Sequence, residues 1–228
     1  MPLVSLSATI ALIVAVVALV GTIAQAVLPT LLGDRKLAQD RLEHYRGPLL
    51  TAAYELQARL HNILANQFVE DWIEDGKHAG MQDAAMETTL YVFAQFIAWR
   101  EIIRRDLQYL RFHRSAETRQ VHEMLQGITE TLLDSKLGPQ FMIWRVEQQG
   151  FGERMTEDRG GDLACIGYAT FLERQESLGR WLVPLERDLR AIDEQGRARL
   201  VLLQRQLLAL VHKLDVSGVW HSAGLGEV

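Results

Sequence analysis

The sequence predicts an all-α protein with one N-terminal transmembrane helix followed by a cytoplasmic multi-helix bundle. Three observations predict it. The first 33 of 228 residues carry no charged side chain, whereas all 24 Lys and Arg and all 29 Asp and Glu lie at or after Asp34. Beyond that point apolar residues recur at steps of three and four, the period of a helix with one buried face. Strand-like alternation is scarce throughout. The chain therefore divides into a transmembrane anchor, 1–33, and a cytoplasmic helical domain, 34–228. A domain of that size buries most of its unfolded surface without a disulfide or metal staple.

The anchor is strongest from Ala8 to Leu28, where Thr9, Thr22 and Gln25 are the polar side chains. Such a helix spans about 31 Å, the thickness of a hydrocarbon core. The rival reading is a secretory signal cleaved near Ala26, since Ala24-Gln25-Ala26 has a small-x-small pattern, leaving a periplasmic or secreted protein. Against it, Met1 to Ser7 holds no Lys or Arg, and the apolar stretch is longer than a usual signal core. Arg35, Lys36, Arg41 and Arg46 follow the segment and no cation precedes it. The positive-inside rule then places the N-terminus outside and the C-terminal domain in the cytoplasm, at the inner (plasma) membrane. Ser7, Ala11, Ala15, Ala18, Thr22 and Gln25 fall on one face. Small residues let backbones approach, so this face is expected to bring two copies together. Twenty Arg against four Lys, with abundant Ala and Leu, suggest a GC-rich bacterial source.

The bundle begins with helical spacing that runs out of the membrane to Arg46. Gly47-Pro48 reads as a stop and restart, because Gly ends helices and Pro favours a first turn. The second helix carries Leu49, Ala53, Leu56, Leu60, Ile63 or Leu64, Phe68 and Trp72 on one face. Gly76 to Gly80 is a loop by its glycines. The third helix spans Asp83 to Phe112. Its middle, Leu90 to Trp99, has Gln95 as its one polar residue, so Phe93, Phe96 and Ile97 should form the centre of the core. Arg100, Arg104, Arg105 and Arg111 suit the negative end of its dipole. The fourth helix covers Ala116 to Ser135. A fifth starts near Pro139 and weakens at Gly150 and Gly152. After Gly160-Gly161, Asp162 is placed to cap a short sixth helix carrying Cys165, Tyr168 and Phe171. Pro184 marks the first turn of a seventh or a kink. The last helix runs from about Asp193 to Leu214.

The sequence offers little chemistry. No two of the seven histidines, His44, His61, His78, His113, His122, His212 and His221, lie three or four apart, so no helix face pairs them as metal ligands. Asp75 and His78 have a ligand-like spacing but sit in the Gly76–Gly80 region without partners. Nucleotide-binding glycine loops and nucleophile elbows are missing, so no catalytic residue, metal or cofactor is expected. Cys165, the only cysteine, lies in an apolar run and reads as a small buried hydrophobe. A net charge of -5 argues against a nucleic-acid partner.

The most unusual polar stretch is Trp144 to Arg154. On a helix, Arg145, Gln149 and Glu153 form one row and Trp144, Gln148 and Gly152 the next. A glycine beside polar side chains lets a backbone or ligand approach closely. The first row reads either as a small ligand-binding site or as a packing network in which Gln149 links Arg145 to Glu153. Arg also neighbours Trp at Trp99-Arg100, Trp144-Arg145 and Arg180-Trp181, where cation–π contacts with other elements are conceivable.

The stretch from Tyr45 to Leu64, YRGPLLTAAYELQARLHNIL, together with Arg145 to Met155, resembles an uncharacterised family of bacterial single-span membrane-anchored helical proteins. The resemblance implies the same anchor-plus-bundle plan over most of the cytoplasmic part, and no activity or catalytic residues. The leading expectation is a non-catalytic, membrane-tethered interaction, scaffold or regulatory protein. Its partners would be the lipid bilayer, itself through the membrane helix, and an unknown protein. The alternative is an enzyme or small-ligand sensor using Arg145, Gln149 and Glu153.

Overall fold

The computed structural model describes residues 16, 18, 19, 21, 22, 25, 43–74, 78, 80–108, 116–216 and 218. Among these the chain is mostly helical. Helix α1 occupies 43–65 and a π-helical turn follows at Val69–Ile73. Then come α2 (Gln82–Gln108), α3 (Ala116–Leu133) and a 3-10 turn at Ser135–Leu137. Helix α4 (Arg145–Arg154) leads into strands β1 (Thr156–Arg159) and β2 (Asp162–Cys165). Helices α5 (Tyr168–Glu173), α6 (Gln175–Arg190) and α7 (Glu194–Leu214) complete it.

Helix α2 is the centre, as its nearly unbroken apolar run requires. Phe93, Phe96 and Ile97 are buried, together with Ala94, Ala98, Ile102 and Ile103. One side of α2 packs on α4, and the π-helical turn, β2, α5 and α6 surround the rest. A second pair, α3 against α7, meets through Val121, Leu125, Ile128 and Leu132 on one side. Leu200, Leu203, Leu207, Leu210 and Leu214 are the buried leucines of α7. Both sets follow the three-and-four spacing of an amphipathic helix. Asp193 caps α7 by accepting from the Gly196 N–H at 2.7 Å.

Four expectations are corrected. Helix α1 runs straight through Gly47-Pro48, without the stop expected there. Proline costs one rung of the ladder, but Tyr45 on one side of it and Leu49, Ala52 and Ala53 on the other enter the same core, so packing holds the helix in register. The fifth helix starts at Arg145, not at Pro139. Phe141 is drawn into the core there, with φ +55° and its N–H donating to the buried Asp188 carboxylate at 2.8 Å. That helix also continues through Gly150 and Gly152.

The largest correction is at Asp162. It opens β2, where a capped helix is expected. Thr156↔Cys165 and Arg159↔Asp162 pair antiparallel across a two-residue turn. Gly160 and Gly161 have φ +72° and +100°, and consecutive positive φ values are what a tight hairpin of matching twist demands. Helix resumes at Tyr168, and Pro184 lies inside α6 rather than in a first turn.

Among the described residues no helix is long and apolar enough to cross a membrane. The Ala8–Leu28 segment lies mostly outside them. Ala18, Thr22 and Gln25 of the expected association face are described as helical and exposed, with the Thr22 hydroxyl donating to the Ala18 carbonyl at 2.8 Å. Ser7, Ala11 and Ala15 are outside the described residues.

Candidate functional site

Helix α4 presents two rows to its surroundings, and the expected roles divide between them differently from the expectation. Gln148 and Gly152, from the second row, make the packing contact with α2. A Cβ at position 152 would stand 2.5 Å from Glu101 Cβ and 3.1 Å from the Ile97 carbonyl oxygen, so only glycine allows this approach. The close contact brings Gln148 to Arg100. Its amide nitrogen donates to the Ile143 carbonyl at 2.7 Å and the Thr129 carbonyl at 3.2 Å, and its amide oxygen accepts from Arg100 Nη1. The same Nη1 donates to Thr129 Oγ1 at 2.9 Å.

Arg145 and Glu153 are exposed and Gln149 is half-buried. Arg145 reaches α3, donating to Gln126 Oε1 at a long 3.4 Å. Arg145 and Gln149 line a small cleft of about 40 Å³ with Arg100, Arg104, His122 and Thr129. Glu153 is not part of its lining. Its negative charge acts on Arg104, whose guanidinium is held chiefly by Glu101. The expected Arg145–Gln149–Glu153 link is therefore replaced by a cleft with an arginine-rich wall.

Arg100, expected with Arg104 and Arg105 to offset the α2 dipole, proves to be central to the cleft. In the structure it is 6% exposed, and its hydrogen-bond acceptors are both neutral. Burial pushes its pKa down to about 10, the Arg104 and Arg145 charges add to that shift, and Glu101 opposes it. The signal was present as Gln148 and Gly152 at i, i+4, opposite an i, i+4 pair of arginines.

On the other side of α4 lies an apolar groove of about 190 Å³ shared with α6. Trp181 and Arg180 both reach from α6 to Glu147. The indole N–H donates to Glu147 Oε2 at 2.8 Å, and the Arg180 guanidinium pairs with the same carboxylate. Arg180 holds the Glu147 carboxyl below the usual range, with Trp181 adding to it. The Trp181 ring stacks on Phe151 at 5.5 Å. Among the residues that line this groove, Trp144 stands largely in solvent, 61% exposed. The Arg180-Trp181 adjacency thus serves a shared carboxylate. Among the described residues a cation–π contact is made by Arg59 over Phe68, at 4.4 Å.

The remaining candidates behave as packing groups. Burial, with Glu157 nearby, pushes the Cys165 thiol up to about 12, and a thiol so held carries almost no thiolate at neutral pH. Tyr91 is likewise pushed up to about 12, first by burial, and donates to the Ile166 carbonyl at 3.3 Å. His78 stacks on Trp72 with centroids 3.7 Å apart, while Asp75 lies outside the described residues. Among the described residues no three His, Cys, Asp or Glu side chains group closely enough to hold a metal ion. Comparison with protein-family models, curated proteins and solved structures finds no match.

Proposed function

We propose that this chain is a membrane-tethered, non-catalytic interaction module of a bacterial inner membrane, docking a protein segment in the groove between α4 and α6. The observation that carries the reading is Trp144, 61% exposed and lining that groove with Phe141, Met142, Ile143 and Pro184. Exposed aromatic side chains beside an apolar groove are the anchors that dominate binding energy at interaction surfaces. The groove favours a segment that inserts an apolar side chain beside Trp181 and leaves a polar group near Glu147 and Arg180.

The tether rests on the uncharged apolar run Ala8–Leu28 and the cations that follow it. In this reading the bundle lies in the cytoplasm, and copies associate through Ser7, Ala11, Ala15, Ala18, Thr22 and Gln25. The resemblance of 45–64 and 145–155 to bacterial single-span helical proteins fits the same plan. In the test, tagged full-length chain is purified from membranes and its co-purifying protein is quantified. Pro184→Asp, at an exposed position of the groove lining, and Trp144→Ala should each reduce that protein about tenfold while melting as wild type. Equal yield from both variants would sink the groove, and recovery of the full-length chain in the soluble fraction would sink the tether.

A further inference from the structure

Arg100 presents an electrostatic problem that the protein alone leaves open. A guanidinium removed from water is costly unless an anion or a full set of acceptors receives it. Arg100 has two neutral acceptors, Thr129 Oγ1 and Gln148 Oε1, both on Nη1, and among the described residues it forms no ion pair. Two further guanidiniums, those of Arg104 and Arg145, border the same cleft and add repulsion to the burial cost. Arg104 is offset by Glu101. Arg145, at the start of α4, is exposed and held only by a long bond to neutral Gln126. Among the described residues no carboxylate lines the cleft, and its other polar walls are His122, Gln126, Thr129 and Gln149.

We propose that this cleft is a binding site for a phosphate-type oxyanion, held by Arg100 and Arg145 from two sides with the Gln149 amide beside them. Planar guanidiniums match phosphate oxygens, and charge-assisted bonds of this kind are the strong ones. The size of the cleft sets how the ligand is held. The cleft is small, about 40 Å³, and open to solvent on one side. The terminal oxygens of a phosphate enter, and whatever they are attached to stays outside. That geometry suits free phosphate, a phosphorylated metabolite's end group or a lipid headgroup, and it does not suit an enclosed organic substrate. Arg100 is the fixed part of the site, positioned by Gln148 through the Gly152 contact. Arg145 is the accessible part.

The test uses full-length chain in detergent micelles, melted in chloride or inorganic phosphate at matched ionic strength and pH 7. Phosphate at ten times its Kd should raise the melting temperature by about 3–6 °C. Arg145→Gln should abolish the shift. Arg154→Gln, which removes the same charge from an exposed position of the same helix outside the cleft, should retain it. Line broadening of the phosphorus-31 signal should follow the same pattern and gives a readout independent of stability. A second arm places the chain in phosphatidylcholine nanodiscs with or without phosphatidic acid. A shift with free phosphate assigns a soluble anion, and an Arg145-dependent shift with phosphatidic acid alone assigns the headgroup. No shift in either arm, or a full shift in Arg145→Gln, would overturn the proposal. None of these outcomes depends on the α4–α6 groove, so the two readings stand or fall separately.

Discussion

Among the described residues two arginines are buried, Arg199 and Arg100, and they differ in what receives their charge. Arg199, on α7, is fully buried and donates to four backbone carbonyls. Its Nε reaches Gln140 at 2.9 Å, Nη1 reaches Thr131, and Nη2 reaches Asp134 at 2.9 Å and Gly138 at 2.6 Å. These are carbonyls of the end of α3 and the loop after it, where a helix leaves acceptors without intrahelical partners. Arg199 thus fastens α7 to the C-terminal end of α3 and spreads its charge over a ring of dipoles. Arg100 is nearly as buried, yet it has two acceptors and a cleft beside it. Depth of burial therefore does not separate a structural arginine from a binding one. The completeness of its acceptor set does.

The largest expected effect breaks the structural member of the pair. Arg199→Met removes the donors from four carbonyls and should cost about 3–5 kcal/mol in urea unfolding. Arg145→Gln, at the exposed edge of the cleft, should stay within about 0.5 kcal/mol of wild type. Equal losses in the two variants would erase the distinction.

Helix count and core were legible in the sequence where one face of a helix decides burial. Leu90 to Trp99 named the core, and Leu200, Leu203, Leu207, Leu210 and Leu214 named the buried face of α7, because the three-and-four spacing is a property of the helix itself. The failures came where contacts from distant residues outweigh local preference. Gly47-Pro48 looks like a stop and is overridden by Tyr45 and Leu49 entering a common core. Gly160-Gly161 marks a break in the sequence, and the strands flanking it are too short to show alternation. Half of the cleft was visible as Arg145 and Gln149 on one helix row. The other half, Arg100 and Thr129, comes from α2 and α3, and no spacing within one helix reports that they meet.

An intermediate effect sharpens the same comparison at the helix contact that places Arg100. Gly152→Ala forces a Cβ against Glu101 and the Ile97 carbonyl, and should cost about 1–3 kcal/mol of stability. Gly179→Ala, also within a helix but with no atom within 4 Å of its new Cβ, should gain up to about 1 kcal/mol. A stable Gly152→Ala would mean that α2 and α4 do not approach as described.

The smallest effect concerns a half-buried carboxyl outside both features. Burial raises the Glu55 pKa, partly opposed by a hydrogen bond with Gln95. A carboxyl raised in the folded state favours folding in its protonated form. Its contribution is complete below the unfolded glutamate value, about 4.3, and is lost as pH rises through the folded pKa. Glu55→Gln should therefore melt about 1 °C above wild type at pH 7, with the difference shrinking as pH falls below 4.3. A difference that grew with acidity would reverse the sign assigned here.

The central functional claim is that the chain works through what docks beside Trp144. Site-specific photocrosslinking of full-length chain in intact membranes tests it most directly. A photoreactive residue replacing Trp144 should give one discrete adduct, which Pro184→Asp removes. The same residue replacing Leu202, a half-exposed position on α7 outside the groove lining, should give none. Identical adducts from both positions, or none from position 144, would contradict the account.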